Sequence, residues 1–233
     1  MNPIIEELNF MSNLPDEVGT SKKHNIETNA IVYHVIQQTN NRYNLFAVST
    51  AKHRDALFKD ICAKNGVIVL ANVIMPTHTH DLVACSDISR IKKVCCYTNR
   101  GTSVFIRKER ENKEIFCPDK IFSSGPAYVA VKSRNQLFCL LKYLYDNPLY
   151  LEKNKESAPY NCFEKWKQGY TKPYDVALLE RILGLNLQFM LEKFETLGSR
   201  EFSAYSWKLF GTDSCDFSDS LFKKDSSKPW SRG

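Results

Sequence analysis

Several common protein classes are excluded by what this chain of 233 residues lacks. No two of its eight cysteines have the Cys-x-x-Cys spacing that begins many zinc sites, and they do not form the dense pattern of a small disulfide-bonded scaffold. We therefore expect reduced thiols, as in a cytoplasmic protein. No apolar run is long enough to cross a membrane, and the N-terminal residues lack the basic and apolar segments of a secretory signal peptide.

The chain also has no strong excess of charge of either sign. Lys and Arg number 32 against 26 Asp and Glu, which gives a formal net charge of +6. That excess permits a polyanionic partner such as nucleic acid without indicating one. Apolar residues make up 43% of the chain, enough to bury one full-sized core and a small additional element.

Local patterns predict a series of strands separated by helices. Runs of β-branched, aromatic or alternating apolar residues predict strands over residues 30–37, 67–74, 78–85 and 127–132. The second of these is almost wholly apolar, as expected for a central strand that is buried on both faces.

The predicted helices follow capping signals. One helix starts after Thr50 and stops at Gly66, and a second runs from Asp87 to about Arg110.

A third helix follows the capping box of Ser133 and Gln136. It is predicted to end at Asn147, because Pro148 disfavours helical geometry in the residue before it. Two more helices are predicted over residues 174–197 and 200–210.

This order of elements predicts an α+β fold. We expect a ferredoxin-like antiparallel sheet with helices on one face, plus a C-terminal helical appendage. The chain divides into a leader segment 1–24, a main domain 25–170, a helical C-terminal extension 171–211 and a mobile tail 212–233.

The segment MPTHTHDLV places two histidines at the start of the third strand. Side chains alternate along a strand, so His78 and His80 project from one face while Thr79 projects from the other. Two imidazoles that converge in this way can bind a metal ion. Taken alone, they fit equally well as polar residues at the exposed start of an edge strand.

A phenol and an amide share one face of the third helix. Tyr143 and Asn147 are four residues apart and therefore lie one above the other. Individually, Tyr143 fits a core aromatic and Asn147 fits an ordinary residue at a helix end. Together with the two histidines, they point to a nuclease-like site. An ion such as Mg²⁺ or Mn²⁺ can accept imidazoles and an amide oxygen while leaving positions open for a phosphate.

Four segments resemble, in order and spacing, the single-tyrosine HUH transposases, and most closely their REP-associated branch. The segments are IVYHVIQQTNNRYNLF, VIVLANVIMPTHTHDLV, LLKYLYDNPLYL and SAPYNCFEKW. The resemblance implies an HUH catalytic domain that transfers strands of single-stranded, often hairpin-bearing DNA. A tyrosine attacks a backbone phosphate and leaves a 5′-phosphotyrosine link and a free 3′-hydroxyl. Carried over by position, Tyr143 matches the nucleophile, and His78, His80 and Asn147 match the ligands of Mg²⁺ or Mn²⁺.

Two positions depart from the pattern of that family. Thr79 replaces a large hydrophobic residue, a mild change because threonine suits a strand. Asp81 replaces an apolar residue and points away from His80, which puts in doubt how well that side of the sheet is buried. Tyr145 is a second phenol near the nucleophile position, but it points away from the face of Tyr143 and Asn147, so it ranks second.

Basic residues after the third strand are candidate contacts to DNA phosphates, with Tyr97 and Phe105 available for base stacking. For each of them, a solvated charged helix face is an equally good interpretation. The candidate contacts are Arg90, Lys92, Lys93, Arg100, Arg107, Lys108 and Arg110.

The main functional hypothesis is a tyrosine-nucleophile transposase in the cytoplasm, associated with the nucleoid. A domesticated descendant that binds hairpin DNA as a repressor is the first alternative, and a replication-initiator or relaxase-type nicking enzyme is the second. No membrane partner is expected. A homodimer and a monomer both stay open.

Overall fold

The computed structural model describes residues 31–123, 125–131, 134–152 and 158–196. The segments predicted as a leader, as a mobile tail and as a helix over 200–210 lie outside the described residues, as does Ser133 of the capping box.

Five strands form one antiparallel sheet, which confirms the predicted α+β class. Its order is β4-β1-β3-β2-β5, and every neighbouring pair is antiparallel. The strands are β1 Val32–Gln38, β2 Ile68–Ile74, β3 His78–Ala84, β4 Ala127–Val131 and β5 Tyr160–Asn161. The two-residue β5 was not predicted, since so short a strand leaves no periodic pattern in the sequence.

Six α-helices occur within the described residues. They are α1 Val48–Lys64, α2 Ile88–Asn112, α3 Arg134–Glu152, α4 Cys162–Lys167, α5 Val176–Leu183 and α6 Leu187–Thr196. A short 3₁₀ turn, Asn40–Arg42, follows β1. Among these helices, none is both long enough and apolar enough to span a membrane.

Helices cover both faces of the sheet, whereas the sequence predicted helices on one face. Arg54 of α1 bonds Asp81 on one face of β3, while the ring of His80 on the other face lies 5.4 Å from that of Tyr143 in α3. The physical reason lies in β2 and β3, where six of seven residues in each strand are buried. Strands that are buried on both faces need a covering layer on each.

The departure at Asp81 is accommodated by a buried ion pair. The Arg54 guanidinium donates two hydrogen bonds to the Asp81 carboxylate, at 2.8 and 2.5 Å, and the two side chains are 3% and 0% exposed. Thr79 donates a further hydrogen bond to this carboxylate at 3.4 Å. β3 is therefore buried at Asp81, where the sequence left the burial of the sheet in doubt.

The predicted end of α3 at Asn147 was wrong. The helix continues through Pro148 to Glu152. A proline inside a helix costs about 3 kcal/mol through the lost hydrogen bond and the clash of its ring. This helix buries Phe138, Leu141 and Leu144 completely, and we attribute its continuation to that packing, which outweighs the local preference.

The single helix predicted over 174–197 is two helices, α5 and α6. Gly184 ends α5 in a left-handed conformation with a φ of 68°, and its N–H donates to the Glu180 carbonyl at 2.8 Å. Glycine adopts this conformation without steric cost, so it terminates a helix even inside an amphipathic pattern.

Replacing Gly184 by alanine should lower the free energy of unfolding by more than the ~1 to 2 kcal/mol of a left-handed non-glycine residue. An added Cβ would lie 2.9 Å from Nη2 of Arg134, so this group would have to move away from the Leu183 carbonyl to which it donates, in addition to the backbone strain. Gly169→Ala is the matched control, because Gly169 has a φ of 83° and open space around its Cβ position. Equal losses in urea unfolding of the two variants would show that the Arg134 contact costs nothing.

Candidate active site

The structure brings together three of the side chains singled out by the sequence. The ring centroids of His78 and His80 are 4.8 Å apart, and those of His80 and Tyr143 are 5.4 Å apart. The alternation of β3 turns both imidazoles toward α3, and the position of α3 across this face brings the phenol to them. The candidate nucleophile and two candidate metal ligands thus share one small region.

Asn147 lies one helical turn beyond Tyr143 and is 7% exposed. Its amide nitrogen is buried without a hydrogen-bond partner. An unpaired buried polar group is costly, and the two ends of an amide are exchanged by a half turn. If the amide is turned so that its oxygen replaces the buried nitrogen, Asn147 presents an oxygen to which a cation can bind.

His34 is a further member of the cluster, and sequence reasoning missed it. Its Nε2 lies 3.0 Å from Nδ1 of His80, and the two rings stack with centroids 5.1 Å apart. The edge of the Tyr143 ring is also near, at a centroid distance of 6.5 Å from His34. Only the register of β1 against β3, with Ile36 opposite His80, reveals this neighbour.

All three imidazoles are in environments that favour their neutral form. Burial, reinforced by charge on His78, lowers the pKa of His34 to about 3. Burial, together with the positive charge of Arg42, lowers the pKa of His78 to about 4. Burial also holds the pKa of His80 well below its ordinary value. Neutral imidazole has the lone pair that a metal ligand requires.

Arg42 is the second residue that sequence reasoning missed. It is exposed in the turn after β1 and has a positive φ of 55°. Its positive charge helps to lower the pKa of His78, so it lies near that imidazole. Non-glycine residues with positive φ are concentrated at functional sites. The positive φ of Arg42 therefore marks it as a candidate site residue, and no sequence pattern predicts this backbone conformation.

The donor set fits a divalent ion with mixed ligands. Within the described part of the chain, no group of three or more His, Cys, Asp or Glu side chains could hold a metal ion. An ion held by the two strand imidazoles would therefore need a further donor of another kind. Nε2 of His80 is buried without a partner, and Thr77 Oγ1 lies 3.0 Å from Nδ1 of His78, which leaves Nε2 of that ring for a ligand role. Asn147 supplies the third candidate donor, so the residues fit Mg²⁺ or Mn²⁺.

Tyr145 lies in the core, on a different side of α3 from Tyr143. It is 8% exposed and packs against Phe163 and Phe194, and its hydroxyl donates to Glu195 at 3.4 Å. Burial raises the pKa of its phenol. This environment suits a structural aromatic residue rather than a nucleophile.

The seven basic candidates for DNA contact all lie on α2. This helix packs on α1 and on the face of the sheet that carries Asp81, away from the histidines. Arg107 donates to the Asp119 carbonyl, and Arg110 donates to the carbonyls of Phe116 and Asn44. These two arginines therefore also hold neighbouring loops in place.

The other five basic residues of α2 are exposed. Arg90 is 3.8 Å from Asp87. Within the described residues, no ion pair involves the other four, which are Lys92, Lys93, Arg100 and Lys108.

The two aromatic candidates on α2 differ in their surroundings. Tyr97 is 49% exposed. Phe105 is stacked on His53 with centroids 4.0 Å apart, so one face of its ring is already covered. Tyr97 is therefore the better candidate for base stacking.

Comparison with known families gives one match. The model of the family described as "Transposase IS200 like" matches residues 27–146. That span includes β1 to β4, both strand histidines and Tyr143, and it stops one residue before Asn147. Among curated proteins, none matches the chain.

The solved structures that resemble part of the chain include two transposases. A predicted transposase of Deinococcus radiodurans is 15% identical, with a TM-score of 0.39, and the match covers 55% of this chain and 97% of that one. A REP-associated tyrosine transposase bound to a REP hairpin is 13% identical, with a TM-score of 0.42, and the match covers 56% of this chain and 73% of that one.

Proposed function

Because this chain belongs to the IS200-like transposase family of tyrosine-nucleophile DNA transposases, we propose that it cuts and joins single-stranded, hairpin-bearing DNA with the help of a divalent metal ion. The observation that carries the proposal is the convergence of Tyr143 with His78 and His80 on one face of the sheet. We infer that the protein acts on nucleoid DNA in the cytoplasm.

Tyr143 is the nucleophile in this proposal. Its phenol oxygen attacks the scissile phosphorus, and a bond between Oη and phosphorus forms while the bond to the 3′ oxygen breaks. The phenol proton is lost and the 3′ oxygen takes up a proton, so the products are a 5′-phosphotyrosine link and a free 3′-hydroxyl. Strand transfer is the reverse step, in which a 3′-hydroxyl of another strand attacks the phosphotyrosine and releases the enzyme.

Three residues would hold the ion: His78 and His80 through Nε2 and Asn147 through its amide oxygen. When bound, Mg²⁺ or Mn²⁺ would polarise the phosphate as a Lewis acid, which makes attack by a phenol, a weak nucleophile, easier. The half-buried position of His78 leaves one side of the site open to a DNA strand.

The exposed basic residues of α2 would bind the phosphate backbone outside the active site. Since α2 lies on the opposite face from Tyr143, these side chains suit the hairpin stem or a distant part of the strand. Such contacts position DNA without reading its sequence. We assign this role to all seven predicted residues, with Arg107 and Arg110 also serving as loop anchors.

The proposal is tested with labelled oligonucleotides that carry a hairpin next to a randomised single-stranded flank. With Mn²⁺, the full chain should form a covalent adduct that survives denaturing electrophoresis, and sequencing of captured strands would identify the cleavage site. Chelation should abolish the adduct, and His80→Ala should reduce it at least about 100-fold by removing a metal ligand.

A negative result would favour a specific alternative. Tight hairpin binding without an adduct in either Mg²⁺ or Mn²⁺ would support the domesticated DNA-binding descendant. An adduct that is undiminished by chelator would contradict the metal dependence while leaving the tyrosine chemistry intact.

A further inference from the structure

His34 is the buried neighbour of His80 on the side of the ring away from the proposed metal position. Both side chains are 2% exposed. The contact of 3.0 Å joins Nε2 of His34 to Nδ1 of His80, so it leaves only Nε2 of His80 for a ligand. The rings are stacked at an interplanar angle of 25°, which also restricts how the His80 ring can turn.

The hydrogen bond between the two rings has two alternative directions. In a neutral imidazole one nitrogen donates and the other accepts. If His80 donates from Nδ1, its Nε2 has a lone pair. If His34 donates instead, Nε2 of His80 carries a proton.

The surroundings of Nε2 distinguish these alternatives. This atom is buried and has no hydrogen-bond partner. An N–H in that place would be an unsatisfied buried donor, which costs free energy. A lone pair in the same place is satisfied as soon as a cation binds. The favoured direction of the hydrogen bond is therefore the one in which Nδ1 of His80 donates to Nε2 of His34.

We propose that His34 is a positioning residue that accepts a hydrogen bond from Nδ1 of His80 and so holds the Nε2 lone pair ready for a divalent metal ion. This inference rests on the proposed ligand role of His80. His34 is not a third ligand, because it contacts the opposite nitrogen of the ring.

The strand pairing gives this arrangement its rigidity. His34 and His80 stand on the two central neighbours β1 and β3, whose antiparallel register pairs Ile36 with His80 and His34 with Leu82. Groups fixed on a sheet hold a site more accurately than groups on a loop. Outer partners of metal-bound histidines typically change metal affinity by about 10-fold to 100-fold when they are removed.

The test compares His34→Phe with His34→Gln in the full chain, without DNA, by calorimetric titration with Mn²⁺. Phenylalanine fills the space of the imidazole but accepts no hydrogen bond, so it should weaken Mn²⁺ binding about 10-fold to 100-fold. Glutamine places a carbonyl oxygen near the former Nε2 position and should restore most of the affinity. If His34 had only a structural role, His34→Phe and His34→Gln would not differ in Mn²⁺ affinity in this way.

Val35→Ala is the matched control for loss of packing. Val35 neighbours His34 on β1, is 1% exposed and projects from the opposite face of the sheet. Its truncation should destabilise the chain while leaving Mn²⁺ affinity unchanged.

Nitrogen NMR of the metal-free protein provides a readout that is independent of metal. In the unaltered chain, His80 should be protonated on Nδ1 and unprotonated on Nε2, and His34→Phe should populate the other tautomer. Protonation of Nε2 in the unaltered chain would overturn the inference, as would unchanged Mn²⁺ affinity in His34→Phe. If the unaltered chain binds Mn²⁺ no better than His80→Ala, the proposed metal function fails instead, and the NMR result still shows which ring donates.

Discussion

Tyr143→Phe is expected to abolish the covalent protein–DNA adduct, with a loss of at least about 1000-fold, because no other group replaces a missing nucleophile. Phenylalanine keeps the ring beside His80 and removes only the hydroxyl. DNA binding and metal binding should therefore stay close to those of the unaltered chain. The measurement is the rate of adduct formation on a cleavable hairpin oligonucleotide with Mn²⁺.

Tyr145→Phe is the control that the chain itself offers. It removes a hydroxyl two residues away that donates to Glu195, and it leaves the contacts of the ring with Phe163 and Phe194 in place. We expect this variant to form the adduct at close to the normal rate. If Tyr145→Phe abolished the adduct and Tyr143→Phe retained it, the nucleophile assignment would be reversed.

Asp81→Leu is expected to lower the free energy of unfolding by about 3 to 5 kcal/mol, because it leaves the Arg54 charge buried without its partner. The substitution introduces an apolar residue of the kind that the resembled family has at this position. Its cost comes from Arg54 of α1, which is 2% exposed and would keep a buried charge without its carboxylate partner. Urea unfolding followed by circular dichroism measures the change.

The double variant Arg54→Met/Asp81→Leu separates charge from packing. A buried ion pair can often be replaced by apolar residues of similar size with little loss. We therefore expect the double variant to recover most of the stability that Asp81→Leu loses. If the double variant had a lower free energy of unfolding than Asp81→Leu, the ion pair would contribute more to stability than its desolvation costs.

Much of the candidate site could be predicted from local periodicity. The two-residue repeat of a strand is enough to place His78 and His80 on one face, and the helical repeat is enough to stack Asn147 on Tyr143. Both relations hold for any strand and any helix, whatever surrounds them. The structure adds that these two elements face each other.

Other features depend on neighbours that are distant in the sequence. His34 is 46 residues from His80, and Arg54 is 27 residues from Asp81. Nothing in the sequence near these residues specifies their partners, since strand register and helix docking decide which side chains meet. For the same reason the sequence could not show that helices cover both faces of the sheet.

Two predicted helix boundaries were wrong. In one case a helix continued through a residue that normally breaks it, and in the other a glycine ended a helix that the amphipathic pattern predicted to continue. Pro148 should have ended α3, but the buried residues before it are consistent with a helix that continues. Gly184 should have been tolerated within one amphipathic helix, but its left-handed conformation ends α5. The conformational cost of a single residue decides where a helix ends only when burial of the flanking residues contributes less free energy than that cost.

The sequence by itself determined the α+β class, the strand and helix that carry the candidate catalytic groups, and the faces on which those groups lie. These follow from chain geometry, which repeats every two residues in a strand and every 3.6 residues in a helix. The tertiary structure alone decided that β1 places His34 behind His80, that α1 neutralises Asp81, and that α3 brings Tyr143 to the histidines. Those contacts arise from the burial of apolar surface between distant segments, which no local pattern records.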